Sequence, residues 1–177
     1  SGSLQRHDSP PESWSVTVVD TGLDTMTGGR VRRLRDHLPG RFMLTYGDGV
    51  ADIPIDRLLA FHESHGRLAT VTAVRPPSRF GALALDGDSV ADFSEKPQAE
   101  AGWINGGFFI FEHAVFDHLV DDGTILEREP LEALARDGQL MAYRHHGFWE
   151  PMDTERDRNN LASLWSEGTA PWKVWDD

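Results

Sequence analysis

The chain has 177 residues, of which 39% are hydrophobic and 26% are charged, values typical of one globular domain. No run of about 18 apolar residues occurs, so no membrane span is predicted. The formal net charge of −12 disfavours nucleic-acid binding, which usually requires a basic surface. Cysteine is absent, which excludes disulfides and thiolate metal sites and is consistent with a cytoplasmic protein.

The first residues differ from the rest of the chain. Ser1–Ser3 has no signal-peptide pattern and is typical of a cloning remnant. Residues 1–13 are polar and contain two adjacent prolines, so we expect a flexible N-terminal segment. Residues 14–177 are expected to form the domain.

The first half of the domain alternates strand and helix patterns. We predict a strand at Trp14–Val19 and then a helix with Val31, Leu34 and Leu38 inward. A strand buried on both faces follows at Phe42–Tyr46. The next predicted elements are a helix from an Asp52 N-cap to Gly66 and a buried strand at Leu68–Val74. The last strand–helix–strand unit predicts a parallel pair with a right-handed crossover.

The second half begins with a hairpin signal, in which Leu83–Leu85 and Ser89–Phe93 flank an Asp-Gly-Asp turn. Further predicted strands lie at Phe108–Phe111 and Leu140–Tyr143, and further helices at Ala114–Val120 and Glu129–Arg136. A Thr154–Asp157 capping box is predicted to begin the last helix, with Leu161, Leu164 and Trp165 inward. The predicted fold class is therefore α/β: a Rossmann-like, mostly parallel sheet with helices on both faces and a small inserted β-hairpin region.

Two aspartates are the leading candidates for metal binding. Asp48 lies between Gly47 and Gly49, just past the carboxyl end of a predicted buried strand, where open α/β sheets place their ligands. Asp153 directly precedes the last helix. Carboxylates in these places can hold Mg²⁺. Asp48 could equally be a turn residue, and Asp153 alone is better explained by the helix dipole.

Other polar segments could bind a phosphorylated ligand. Lys96, beside Glu95, could bind a phosphate, and Asn105 could bind a sugar hydroxyl, although ion-pair turns and Asn-Gly turns are common. Thr27–Arg30 contains two glycines whose N–H groups could face an anion, or it could be a plain loop. The histidines form no metal pattern, and most are expected at the surface. The tryptophans near the end are expected to pack the tail onto the domain.

Taken together, these segments resemble the glucose-1-phosphate cytidylyltransferases, a branch of the sugar nucleotidyltransferases. The matching stretches occur in the family's order from about Trp14 to Trp175 and are individually weak but jointly specific. They are Val18–Gly22, Met26–Arg30, Thr45–Asp52, Arg79–Ala82, Glu95–Pro97, Ile104–Phe109 and Gly147–Thr154.

The resemblance implies synthesis of CDP-glucose and pyrophosphate from CTP and glucose 1-phosphate, with Mg²⁺ as cofactor. It implies that Asp48 and Asp153 hold the metal and act in catalysis with Lys96. The implied nucleotide-binding residues are Thr27, Gly28, Arg30 and Gly47, with Arg30 at the cytosine. The implied sugar-phosphate-binding residues are Gly81, Glu95, Lys96 and Asn105.

The sequence departs from this family at its start. The glycine-rich turn and the Pro-Lys-Pro segment that grip the triphosphate have no counterpart, so the domain is expected to be incomplete and this chain alone weak or inactive. A companion segment or a homo-oligomer would then supply the missing part. Two alternatives stay open: a non-catalytic remnant that binds a sugar phosphate or serves assembly, and a metal-dependent glycosyltransferase that uses Asp48 and Asp52.

Overall fold

The computed structural model describes residues 15–76, 82–86, 89–94 and 102–175. The predicted flexible segment 1–13 therefore lies outside the described residues, as does Trp14. The strands are β1 Phe42–Thr45, β2 Gly49–Ala51, β3 Ala69–Val74, β4 Ala82–Asp86, β5 Ser89–Ser94, β6 Ile104–Phe111, β7 Leu140–Arg144 and β8 Trp149–Pro151. The α-helices are α1 Thr27–Arg33, α2 Ile55–His65, α3 Glu129–Arg136 and α4 Glu155–Ser166, and short 3₁₀-helices span Arg35–His37 and His113–His118.

Four strands form a mixed sheet in the order β1-β6-β3-β7. β6 runs antiparallel to both β1 and β3, whereas β7 runs parallel to β3. β1, β3 and β7 therefore share one direction, but the predicted parallel pairing of β1 with β3 is wrong because β6 lies between them. The expectation of a mostly parallel sheet is corrected accordingly: within the described residues only one of the three pairings in this sheet is parallel.

Helices cover both faces of this sheet, as predicted. Side chains alternate along β6, so Phe109 and Phe111 face one side and Ile110 faces the other. The first side forms a core with the α1, α3 and 3₁₀-helix residues Val31, Leu134 and Phe116. The second side packs against Leu58 of α2. β6 is apolar on both faces because it lies inside the sheet and between two layers.

Two further strand pairs stand apart from the main sheet. β4 and β5 form the predicted antiparallel hairpin, with Ala82 opposite Ser94, while its turn at 87–88 lies outside the described residues. β2 and β8 form a short antiparallel ribbon that the sequence did not predict. This ribbon joins segments about 100 residues apart, a separation that local patterns cannot reveal.

Two strand predictions need correction. Residues 15–20 form no strand, and Val16 and Val18 are 80% and 83% exposed, because β-propensity produces a strand only where a partner supplies hydrogen bonds. The strand at β1 exists but is not buried on both faces. Phe42 is buried while Met43 is 48% exposed, since β1 is an edge of the sheet among the described strands.

The helix boundaries agree with the predictions in part. The predicted helix at Ala114–Val120 is instead a 3₁₀-helix at His113–His118. α2 ends at Gly66 in the left-handed conformation, with φ of 61°, and α3 has the predicted bounds. Asp52 does not cap α2, because that helix begins at Ile55 after Pro54 with no side-chain cap. Among the described residues, no helix is both long and apolar enough to cross a membrane.

The last helix confirms one local prediction and corrects another. Thr154 and Asp157 form the predicted capping box of α4, in which each side chain bonds the other residue's backbone N–H. Leu161 is buried, but Trp165 is 52% exposed instead of inward. The tail does pack onto the domain, since the ring of Trp172 lies 5.5 Å from that of Phe148.

Candidate active site

The ribbon of β2 and β8 brings Asp48 and Asp153 to the same place. Gly49 lies opposite Pro151 in the antiparallel register, and the N–H of Met152 donates to the carbonyl of Asp48 at 2.6 Å. The two aspartates thus continue the two strands at one end of the ribbon. Both line a single cavity of about 180 Å³. The remaining lining residues are Thr45, Tyr46, Gly49, Gly106, Phe108, Trp149 and Pro151.

The donor set at this cavity fits magnesium. Two carboxylates provide hard oxygen ligands, and Mg²⁺ in nucleotide enzymes is usually held by one or two carboxylates together with substrate phosphates and waters. Among the described residues, no group of three or more His, Asp or Glu side chains could hold a metal by itself. Any metal bound between Asp48 and Asp153 would therefore need oxygen atoms from a ligand or from water to complete its shell.

Trp149 fixes the ribbon to the main sheet. Its indole N–H donates to the carbonyl of Gly106 in β6 at 2.8 Å. A residue larger than glycine would not fit at position 106, since a Cβ there would lie 2.8 Å from Cγ1 of Val74 and 3.0 Å from the carbonyl oxygen of Thr72. Gly106 and Trp149, joined by this hydrogen bond, both line the cavity.

A bulge in β6 lies next to Asn105, whose side chain bonds Tyr46 at the wall of the cavity. The register between β3 and β6 shifts between Val71 and Ala73, and Gly107 has a φ of 78°, which favours glycine. The predicted Asn105–Gly107 turn before a strand is therefore an irregular part of the strand itself. The Asn105 amide donates from Nδ2 to the hydroxyl of Tyr46 at 3.0 Å, and its Oδ1 accepts from the N–H of Gly107 at 2.8 Å.

A hydrogen-bonded chain connects Asn105 to the start of α1. The Tyr46 hydroxyl donates to Oε1 of Glu127 at 2.7 Å, and the Thr27 hydroxyl donates to Oε2 of the same carboxylate at 2.7 Å. Burial, followed by the bond to Glu127, raises the pKa of Tyr46 well above its ordinary value near 10. The phenol is therefore held protonated, as a donor to Glu127.

The glycines of α1 serve packing. Gly28 and Gly29 lie inside the first turn of the helix and are buried. The N–H of Gly29 donates to the carbonyl of Thr124 at 3.1 Å, so it is not exposed to an anion as the sequence suggested. A Cβ on Gly29 would lie 2.5 Å from the carbonyl oxygen of Asp122. These two glycines therefore allow α1 to contact the 122–124 backbone directly.

Arg30 anchors the segment before α1. Its guanidinium donates to the Thr21 hydroxyl at 2.8 Å and to the carbonyl of Leu23 at 3.1 Å. The Arg30 side chain thus holds the 21–23 loop next to the helix that carries Thr27. Gly47 lies in the turn directly before Asp48, with no atom within 4 Å of the place its side chain would occupy.

Two histidines, His62 and His145, are buried and are exceptions to the expectation that most histidines lie at the surface. His145 is 7% exposed, and its Nε2 lies 2.8 Å from Oδ1 of Asp52 and 3.2 Å from the carbonyl of Phe148. Both neighbours only accept, so Nε2 carries the hydrogen. His62 is 1% exposed and contacts Thr70 and Glu112. Asp52 and His145 thereby hold β2 and β8 at the end of the ribbon away from Asp48.

The structure brings together some of the predicted site residues. Asp48 and Asp153 meet at the cavity, and Gly47 lies in the turn directly before Asp48. Thr27 and Asn105 are joined through Tyr46 and Glu127. Gly81, Glu95 and Lys96 lie outside the described residues. Local patterns did not predict the contacts of Tyr46, Glu127, Trp149, Asp52 and His145, because these contacts join segments far apart in the chain.

Comparisons with known proteins identify the family of the chain. The nucleotidyl transferase family model matches residues 30–156. The glucose-1-phosphate cytidylyltransferase of Salmonella typhi is 48% identical over 175 residues, which cover 98% of this chain and 68% of that protein. The mannose-1-phosphate guanylyltransferase catalytic subunit beta of Dictyostelium discoideum is 36% identical over 159 residues, which cover 86% of this chain and 43% of that protein.

A solved structure shares the fold. HddC from Yersinia pseudotuberculosis aligns with a TM-score of 0.59 at 19% identity, covering 80% of this chain and 63% of that chain. The predicted resemblance to the glucose-1-phosphate cytidylyltransferases is confirmed, with this chain spanning about two thirds of the Salmonella protein's length. The chain belongs to the nucleotidyl transferase family.

Proposed function

We propose that this chain carries the metal-binding and sugar-phosphate-binding parts of an enzyme that makes CDP-glucose and pyrophosphate from CTP and glucose 1-phosphate. One observation carries the proposal: Asp48 and Asp153, which are far apart in sequence, line one cavity at the end of the β2–β8 ribbon. The chain's 48% identity to the cytidylyltransferase of Salmonella typhi supports this assignment of substrates.

The reaction needs little help from a protein base. A phosphate oxygen of glucose 1-phosphate forms a bond to the α-phosphorus of CTP, and the bond to the bridging oxygen breaks as pyrophosphate leaves. A phosphate monoester is largely a dianion at neutral pH, since its second pKa is about 6. The protein's task is therefore to position two polyanions and offset their charge.

The proposed roles follow from this task. Asp48 and Asp153 would hold Mg²⁺, which offsets phosphate charge when bound. Lys96 would bind the sugar phosphate, while Gly81, Glu95 and Asn105 would bind the sugar. Thr27, Gly28, Gly47 and Arg30 would contact the nucleotide. Local positive charge matters here because the chain as a whole carries a formal charge of −12.

The first test measures pyrophosphate release with CTP, glucose 1-phosphate and Mg²⁺. We would assay this chain and an extended form joined to the N-terminal third of the Salmonella typhimurium relative, which is 48% identical. We expect turnover by the extended form, and a loss of about 10²- to 10³-fold on changing Asp48→Asn or Asp153→Asn. Asp56→Asn, an exposed aspartate in α2, is the matched control and should keep the activity.

The outcomes separate the alternatives. No pyrophosphate release by a folded extended form would refute the proposal. Calorimetric binding of glucose 1-phosphate without turnover would instead favour a non-catalytic sugar-phosphate binder. Transfer of glucose from a preformed CDP- or UDP-sugar would favour a glycosyltransferase.

A further inference from the structure

Glu127 joins two segments that the proposed function assigns to different substrates. One oxygen of its carboxylate accepts from Thr27 in the nucleotide-binding segment, and the other accepts from Tyr46. Tyr46 in turn accepts from Asn105 in the sugar-binding segment. The bridge spans 100 residues of sequence between Thr27 and Glu127, and 81 between Tyr46 and Glu127.

The direction of every hydrogen bond in this bridge is determined by chemistry. The backbone N–H of Gly107 can only donate, so the oxygen of the Asn105 amide must face Gly107 and its nitrogen must face Tyr46. A carboxylate oxygen accepts, so the Tyr46 hydroxyl donates its one hydrogen to Glu127. The Tyr46 oxygen is then left as the acceptor that Asn105 requires.

Packing prevents Tyr46 from leaving this position. Its ring meets the ring of Phe109 edge-on, with centroids 5.8 Å apart. The ring also lies directly under Gly107, where a Cβ would be 2.6 Å from Cδ2 of Tyr46. The amide of Asn105 cannot flip without losing both of its hydrogen bonds. Its second Nδ2 hydrogen has no acceptor among the residues that the structure describes and remains for a ligand.

We infer that Tyr46 and Glu127 are positioning residues that hold the Asn105 amide with its nitrogen ready to donate to an oxygen of the sugar phosphate. Glu127 also holds the Thr27 hydroxyl, so one carboxylate orients both substrate-binding segments. The inference rests on the proposed function. It adds that Asn105 acts as a hydrogen-bond donor and so recognises an acceptor oxygen of the ligand.

The test is calorimetric binding of glucose 1-phosphate and CTP, each with Mg²⁺, to the extended form and its variants. Tyr46→Phe removes the hydroxyl and with it the hydrogen bonds to Glu127 and from Asn105. We therefore expect glucose 1-phosphate binding to weaken about 3- to 10-fold with CTP binding unchanged. Glu127→Ala should weaken binding of both ligands. Tyr143→Phe alters the chain's other tyrosine and is the matched control, with both affinities retained.

A double variant separates positioning from general structural support. If Tyr46 acts through Asn105, the Tyr46→Phe/Asn105→Ala variant should bind glucose 1-phosphate no more weakly than Asn105→Ala alone. Fully additive losses, or equal weakening of CTP by Tyr46→Phe, would overturn the inference. Urea unfolding of each variant verifies that it is folded.

A spectroscopic measurement covers the case of variants that unfold. The two Nδ2 hydrogens of Asn105 should give NMR signals that are farther apart in the folded protein than in the urea-unfolded chain, because one of them is bonded to Tyr46 in the fold. A separation equal to that of the unfolded chain would overturn the inference. An unchanged extended form that binds neither ligand would refute the proposed function, whereas normal ligand binding by Tyr46→Phe would refute only the positioning role.

Discussion

The phenol of Tyr46 illustrates how one side chain depends on its surroundings. Burial is the main cause of its raised pKa, and the bond to the Glu127 carboxylate adds to it. Because ionisation would place a second negative charge beside Glu127, the folded protein resists it. The hydroxyl is consequently a donor to Glu127 throughout the neutral range, which keeps the direction of the whole bridge constant.

This pKa predicts a loss of stability at high pH. Between the ordinary tyrosine pKa near 10 and the higher pKa in the folded state, the unfolded chain has lost the proton that the folded chain retains. The contribution is fully present below pH 10 and is lost as pH rises through this interval. Urea unfolding from about pH 9 to about pH 11 should show a steeper decline for the unchanged protein than for Tyr46→Phe. Equal slopes would contradict the assignment.

At the scale of elements, α4 shows what local sequence can do. Thr154 accepts from the backbone N–H of Asp157, and Asp157 accepts from the backbone N–H of Thr154. The two bonds satisfy N–H groups that the first turn of any helix leaves without helical partners. The N-cap residue Thr154 directly follows Asp153, so the start of α4 helps to determine where that carboxylate lies.

The capping box is expected to contribute measurably to the free energy of unfolding. Thr154→Ala should lower the free energy of unfolding by about 0.5–2 kcal/mol, because one N–H loses its acceptor. Denaturant unfolding with circular dichroism measures this. Thr17→Ala, at an exposed position outside any helix or strand, is the control and should leave stability unchanged. An equal effect from both variants would show that the cap contributes nothing.

For the whole molecule, ion pairs join distant segments of this acidic chain. Arg41 contacts Glu112 at 2.7 Å and Glu63 at 2.6 Å, and Arg33 forms a bidentate pair with Asp122. The Arg41 guanidinium lowers the pKa of Glu112, and that of Arg33 lowers the pKa of Asp122. In a chain with a charge of −12, these few cations therefore stabilise carboxylates next to the core.

The lowered pKa values predict acid sensitivity. A carboxylate with a depressed folded-state pKa stabilises the fold above its unfolded pKa, and this contribution disappears as pH falls through the folded value. Arg41→Met removes the guanidinium that is the main cause of the lowered pKa of Glu112. From about pH 5 to about pH 3, the unchanged protein should therefore lose more unfolding free energy than the variant does. Parallel pH profiles in urea unfolding would contradict this.

The family, several helix ends and several strands could be predicted from the sequence. Gly66 ends α2 through its own left-handed backbone, and the Thr154–Asp157 box opens α4 through bonds that span three residues. These features depend on neighbours in the chain, so a local pattern contains the necessary information. The nucleotidyltransferase resemblance likewise followed from an ordered set of short motifs.

The strand order and the contacts of the site required the tertiary structure. β6 lies between β1 and β3, and Glu127 meets Tyr46 and Thr27 across 81 and 100 residues of sequence. The sequence by itself determined which residues are capable of metal and phosphate chemistry. Only the tertiary structure decided which of them meet, because pairing across long separations depends on the packing of the whole core and not on any local pattern.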